Sequence, residues 1–194
     1  MLVFPNVQPM AEEGRKAESL LTAGQKKSEG RMRFAEPHLA CTIYLREIVA
    51  DNPAGFQPYA WQFFASREDG LSALVDFDIA QDGTPAAVSH GCTGEIVEHF
   101  RAFVDETEAL LPMEARKRRF EPRYVHIDSL SRSAFWLHDL DANGTDYVVP
   151  DLSWSGDREG IQTLAEYVRG LIPMAQKRIE NTKHVKPGDE PVGG

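Results

Sequence analysis

The stretch that decides the fold is Trp61 to Ser89, WQFFASREDGLSALVDFDIAQDGTPAAVS. In its middle Val75, Phe77 and Ile79 alternate with Asp76 and Asp78, which gives a strand one buried face and one face that is wet or functional. Turn-forming clusters bound that strand, Arg67-Glu68-Asp69-Gly70 before it and Gln81-Asp82-Gly83-Thr84-Pro85 after it. Trp61 to Ser66, Leu71 to Ala80 and Ala86 to Ser89 therefore read as a meander of three strands.

Downstream, Ile96, Val97, Phe100, Phe103, Val104, Leu110 and Leu111 fall on one helical stripe, opposite Glu98, Arg101, Asp105 and Glu108. Thr93 or Ser89 is placed to cap this helix and Pro112 to end it. Three more strands are expected at Tyr124 to Ser129, Ala134 to Leu140 and Tyr147 to Leu152, the last two joined by the turn Asp141-Ala142-Asn143-Gly144. A closing helix runs from Asp157 to Ile179, with Pro173 expected to kink or split it. Upstream, Ala40, Cys41, Tyr44, Leu45, Ile48 and Val49 have helical spacing that stops before Pro53, while Thr42, Ile43 and Val49 keep a strand open.

The order helix, strands, helix, strands, helix implies an α+β fold. The sheet is expected to be mainly antiparallel, with about six strands in two groups of three and helices packed on one side. No internal repeat is visible. Residues 1–32 read as a mobile N-terminal arm with a weak helix, residues 33–180 as a single domain, and residues 181–194, rich in Pro and Gly, as a disordered tail.

Charge narrows the partners. The 194 residues carry 21 Lys and Arg against 30 Asp and Glu, a formal charge of -9. Phosphates repel such a surface and the one basic run, Arg116 to Arg119, is short, so no duplex nucleic acid is expected. Hydrophobic residues make up 42% of the chain, enough for a packed core, yet no run is long enough to span a membrane. The start lacks a basic signal region, and Cys41 and Cys92 lack disulfide or zinc spacing, so the cytoplasm is the expected location.

Four constellations bear on chemistry. Phe64-Ala65-Ser66-Arg67 and then Asp76-Phe77-Asp78-Ile79 resemble the signature of the small nucleotidyltransferase superfamily, with Ala65 in place of a glycine. The resemblance implies Ser66 at a nucleotide phosphate, Asp76 and Asp78 on magnesium, and Asp128 orienting the attacking hydroxyl. Two carboxylates one residue apart on a strand point the same way and can share a metal-triphosphate. Outside this alternative no cofactor is expected.

Asp139, Asp141, Asn143, Gly144 and Asp146 resemble the start of an acidic calcium loop, as in EF-hands or FG-GAP repeats, which implies Asp139, Asp141 and Asn143 as metal ligands. The same residues also make a plain hairpin turn. Cys92 at a helix start, followed by His126 or His138 and by Asp128 or Asp151, has the chain order of the transglutaminase and papain-like enzymes, which implies acyl transfer. Trp61 and Phe63 share one strand face and are candidates for partner binding, because aromatic residues are enriched at interface hot spots.

The leading expectation is a non-catalytic, acidic protein-binding module of the immunity, antidote or secretion-chaperone type, with a protein as its partner. The nucleotidyltransferase-like enzyme comes second and the Cys-His-Asp enzyme third.

Overall fold

The alternating stretch forms β3 (Ser72–Ile79), which lies between β2 (Gln57–Ser66) and β4 (Pro85–Cys92) and runs antiparallel to both. A computed structural model of the chain describes residues 1–22, 32–68, 70–141, 144–150 and 160–183. Preceding β2 are α1 (Ala11–Leu21), β1 (Arg33–Thr42) and the short α2 (Leu45–Val49). After β4 come α3 (Glu95–Leu110), β5 (Phe120–Ile127), β6 (Arg132–Asp139), β7 (Tyr147–Pro150), β8 (Gln162–Thr163) and α4 (Leu164–Lys183).

The fold is α+β, as the element order implied, but the sheet has eight strands and is mixed, in the order β4-β3-β2-β1-β5-β6-β7-β8. Every neighbouring pair is antiparallel except β1 and β5, where Leu39, Ala40 and Cys41 lie parallel to Arg123, Tyr124 and Val125. Residues 37–42 belong to a strand rather than a helix. As the central strand, β1 is buried on both faces, so His38, Ala40 and Cys41 are all covered. Register shifts between Ala35 and His38 and between Ala40 and Cys41 break its alternation further. The apparent helical spacing has no helical cause there.

Helices cover both faces, not one. On the first face Trp61, Phe63, Ala73, Val75 and Phe77 pack with Ala17 of α1, while Cys41, Val125, Trp136 and Val148 pack with Ile48 of α2 and Leu164, Tyr167 and Leu171 of α4. On the second face Phe64, Leu74, Tyr124, Phe135 and Leu137 pack with Val97, Phe100 and Phe103 of α3. Adjacent residues such as Leu74 and Val75, or Phe135 and Trp136, are both buried because strands sandwiched between helices have no wet side.

The topology repeats one pattern. β1, a short helix, three strands and α3 are followed by β5, a 3-10 turn at Asp128–Leu130, three strands and α4. A parallel central pair with the two closing helices on opposite faces corresponds to a rotation about an axis running along the strands.

Local details follow from this frame. Gly94, at φ +92°, turns the chain from edge strand β4 onto the second face; the cap position carries no side-chain hydrogen bond, so Thr93 and Ser89 do not cap α3. α4 passes through Pro173 as one helix. Pro173 is exposed, so water can serve the carbonyl that loses its partner, while Val168, Leu171 and Ala175 bury both halves against the sheet. The expected starts and ends at Asp157 and Leu152, the residues Asn143, Asp151 and Trp154, and the tail from residue 184 lie outside the described residues.

The N-terminal segment is docked. Val3 N–H donates to the Phe120 carbonyl and Phe120 N–H to the Met1 carbonyl. On α1, Ala17 is fully buried, and Glu13 Oε2 accepts the N–H of Val88 at 3.0 Å. That carboxylate closes a donor on the exposed edge of β4, and Lys16 Nζ, 2.6 Å from Glu13 Oε1, balances its charge. Among the described residues no helix is long and apolar enough to cross a membrane.

Phe63 is fully buried and meets Phe34 and Phe77 edge-on, with ring centroids 6.2 and 5.3 Å away. Phe63→Ala is expected to lower the unfolding free energy by about 3–5 kcal/mol in urea titration, because the ring's contacts vanish and a cavity remains. A loss under about 1 kcal/mol would remove Phe63 from the core.

Candidate functional site

The chain leaves β1 toward β2 and leaves β5 toward β6, in opposite directions along the sheet. Beyond the carboxyl ends of a parallel pair with such a switch the two connections part, and ligands of open sheets bind in the gap. Here the gap is an open crevice of about 860 Å³ whose lining includes Thr42, Tyr44, Arg46, Gln57, Asp128 and Ile179. β1 and α2 deliver Thr42, Tyr44 and Arg46, β2 delivers Gln57, and the 3-10 turn after β5 delivers Asp128.

The rim is aromatic and charged. Tyr44 is 53% exposed, with the Arg46 guanidinium 5.3 Å from its ring centroid. Tyr59, two residues along β2 from Gln57, is 43% exposed. It is the extra residue of a bulge, since Ala40 pairs with Ala60 and Cys41 with Pro58. Its hydroxyl is pushed above the usual tyrosine range, first by burial and then by Asp76, Tyr124 and Asp128. His126 Nε2 lies 2.6 Å from Asp128 Oδ1, and its ring stacks on Tyr124.

Beside the crevice, on the α3 face, a polar row crosses four strands. His90, Asp76, Gln62 and His38 are successive partners in register on β4, β3, β2 and β1. Gln62 Nε2 donates to Asp76 Oδ1 at 2.7 Å, and Gln62 Oε1 lies 2.9 Å from His38 Nε2. His38 is fully buried, and its ring stacks on Phe100 of α3 with centroids 4.5 Å apart. Burial pushes the His38 ring down and the Asp76 carboxyl up.

Asp76 and Asp78 do share a strand face, and Asp78 is exposed. Ser66 sits four residues along β2 from Gln62, about 13 Å from the Asp76 row at strand rise. Asp128 lies beyond β5, with β2 and β1 between it and β3. The phosphate-binding serine is thus not brought to the aspartate pair, and Asp128 stands across Tyr59 and His126 from Asp76. Among the described residues no group of three His, Cys, Asp or Glu side chains is placed to hold a metal ion.

In the acidic loop each described carboxylate has a local partner. Arg118 stands 3.0 Å from the buried Asp139, Arg119 stands 3.3 Å from Asp141, and Asp146 accepts from the Trp136 indole at 2.9 Å and the Asp139 N–H at 2.8 Å. These carboxylates staple the hairpin; Asn143 lies outside the described residues. Trp61 and Phe63 are in the core, with the Trp61 indole donating to the Gly83 carbonyl at 2.7 Å. Their alternation marks a buried face, and α1 covers it.

Cys92 ends β4 on the α3 face, where burial and then Asp76 push its thiol up rather than down. His138 shares a strand face with Trp136 on the opposite side of the sheet, and His126 is four strand spacings away, about 19 Å. The residues missed in the sequence are His38, Gln62, Tyr44, Arg46 and Gln57. A signal for two of them was present: a histidine leading into the apolar run Leu39-Ala40-Cys41 and a glutamine set between Trp61 and Phe63-Phe64 mark buried polar groups that need partners.

Cys41 is pushed up to about 12 by burial. Native protein near neutral pH is therefore expected to alkylate at both thiols far more slowly than after unfolding, as peptide mass mapping will report. Rapid labelling of Cys92 in the folded chain would contradict the thiol's described environment.

Comparison with protein-family models, curated proteins and solved structures finds no match to this chain.

Proposed function

We propose that this chain is a non-catalytic, acidic protein-binding module whose contact site is the crevice at the carboxyl ends of β1 and β5. The observation that carries this reading is the exposed Tyr44 in a crevice that also holds Arg46, with a second exposed tyrosine, Tyr59, two residues along β2 from the crevice residue Gln57. Tyr and Arg are enriched at the energetic centres of protein interfaces, because they combine large apolar area with a polar tip. Gln57, Thr42 and Asp128 supply hydrogen-bonding groups on the walls. Such a surface suits an extended segment of a partner, with Tyr44 and Tyr59 as anchors. The formal charge of -9 favours a partner with a basic surface and hastens its encounter. A cytoplasmic setting with reduced cysteines goes with this reading.

The magnesium-nucleotide alternative lacks its phosphate-binding serine, since Ser66 stands about 13 Å along β2 from the Asp76 row. The acyl-transfer alternative has its cysteine and histidines on different parts of the sheet. Both are weaker proposals than a binding crevice.

The test is capture with a photo-crosslinking residue at position 44 or 59 in extract from the protein's own source, followed by affinity measurement with the captured protein. Tyr44→Ala and Tyr59→Ala are each expected to weaken binding about tenfold or more with little change in melting temperature. Unchanged affinity in both variants would refute the crevice as the contact site.

A further inference from the structure

His38 presents both ring nitrogens to acceptors. Nδ1 lies 2.8 Å from the Glu36 carbonyl and Nε2 lies 2.9 Å from Gln62 Oε1, while the other end of the Gln62 amide donates to Asp76. Glu36 is at φ +52°, a left-handed conformation within the register break of β1, and this aims its carbonyl at the ring. A side-chain amide can present either end, so the protons can be counted for both orientations.

With the amide nitrogen toward Asp76, His38 must donate from both nitrogens, and the ring carries two protons beside an ionised Asp76. With the amide turned, its nitrogen donates to His38 Nε2, His38 Nδ1–H donates to Glu36, and Asp76 must carry a proton to donate to the amide oxygen. Both arrangements hold the same number of protons. Removing one leaves two lone pairs opposed somewhere in the chain, in a site where His38 is fully buried and Gln62 nearly so.

We propose that His38, Gln62 and Asp76 form one proton-binding site, buried at His38 and Gln62 and partly open at Asp76, that seats α3 on the sheet and gives up its proton as a unit when the pH rises. Phe100 is the mechanical link, since its ring lies flat on the imidazole at an interplanar angle of 14°. The groups facing the site come from each element around it. His90 and Cys92 of β4, Tyr59 of β2 and His126 of β5 surround Asp76, while Glu36 of β1 is influenced by Arg101 and Asp105 of α3.

Burial disfavours the charged ring and the charged carboxylate together, which favours the arrangement with neutral His38 and protonated Asp76. The sign follows from Asp76. Its folded value is raised, so the stability brought by its proton is complete at low pH and is lost as the pH climbs from the ordinary carboxylate range through the raised value. In Asp76→Asn the amide of the new side chain donates to Gln62 without titrating, so that loss disappears.

The experiment follows the melting temperatures of wild type and Asp76→Asn from about pH 3 to about pH 9, with NMR of the wild-type Gln62 side-chain amide and Asp76 carboxyl carbon. Relative to the variant, the wild type is expected to fall by about 5 °C across the range. The Gln62 and Asp76 signals are expected to move with one midpoint, and exchange of α3 amides around Phe100 to accelerate above it after correction for intrinsic rates. A constant gap between the two proteins would overturn the proposal. So would Gln62 signals that stay fixed while Asp76 titrates, a result readable on wild type alone if the variant fails to fold.

Discussion

Three residue pairs of parallel strand, Leu39 with Arg123, Ala40 with Tyr124 and Cys41 with Val125, hold this molecule together. Each half of the sheet is a run of antiparallel strands that neighbour one another in the chain, whereas the seam joins residues separated by the whole of β2, β3, β4 and α3. Closing so long a connection is entropically unfavourable, and backbone hydrogen bonds along three residues are a modest return. The seam therefore depends on what is packed over it. Phe100 and Phe103 of α3 lie on one side against His38 and Phe135, and Ile48, Tyr167 and Leu171 lie on the other with Cys41 and Val125.

The seam also explains where the site is. Two parallel strands whose chains depart in opposite directions leave a gap at their carboxyl ends, and the gap is walled by whatever the connections bring. Here the β1 connection brings Tyr44 and Arg46, the β5 connection brings Asp128, and β2 contributes Gln57. Neither half alone forms this crevice. The same geometry separates Cys92 from His126 by four strand spacings, while Ser66 lies too far along β2 to join the pair Asp76 and Asp78.

Residues with a clean periodicity were legible in the sequence. Val75, Phe77 and Ile79 against Asp76 and Asp78 located β3, and the stripe through Val97, Phe100 and Phe103 located α3. β1 was not legible, because a central strand buried on both faces and broken twice in register has no period of two. A parallel seam leaves no local trace, since its partners are set by packing over long separations. Trp61 and Phe63 showed that they share a face, but only the docking of α1 decides that the face is covered. Of the crevice, Asp128 was singled out only through the nucleotidyltransferase and Cys-His-Asp resemblances; Tyr44, Arg46 and Gln57 lie in or beside the β1 to β2 connection, where composition carries little information about shape.

Hydrogen exchange of the backbone amides along β1 and β5 tests the central claim directly. If the seam holds the fold, the amides of residues 39–41 and 123–125 that bond across it exchange only with global unfolding and share one opening free energy. Seam amides that exchange faster than those of the β2–β3 hairpin would contradict it, because the two halves would then be separate cooperative units.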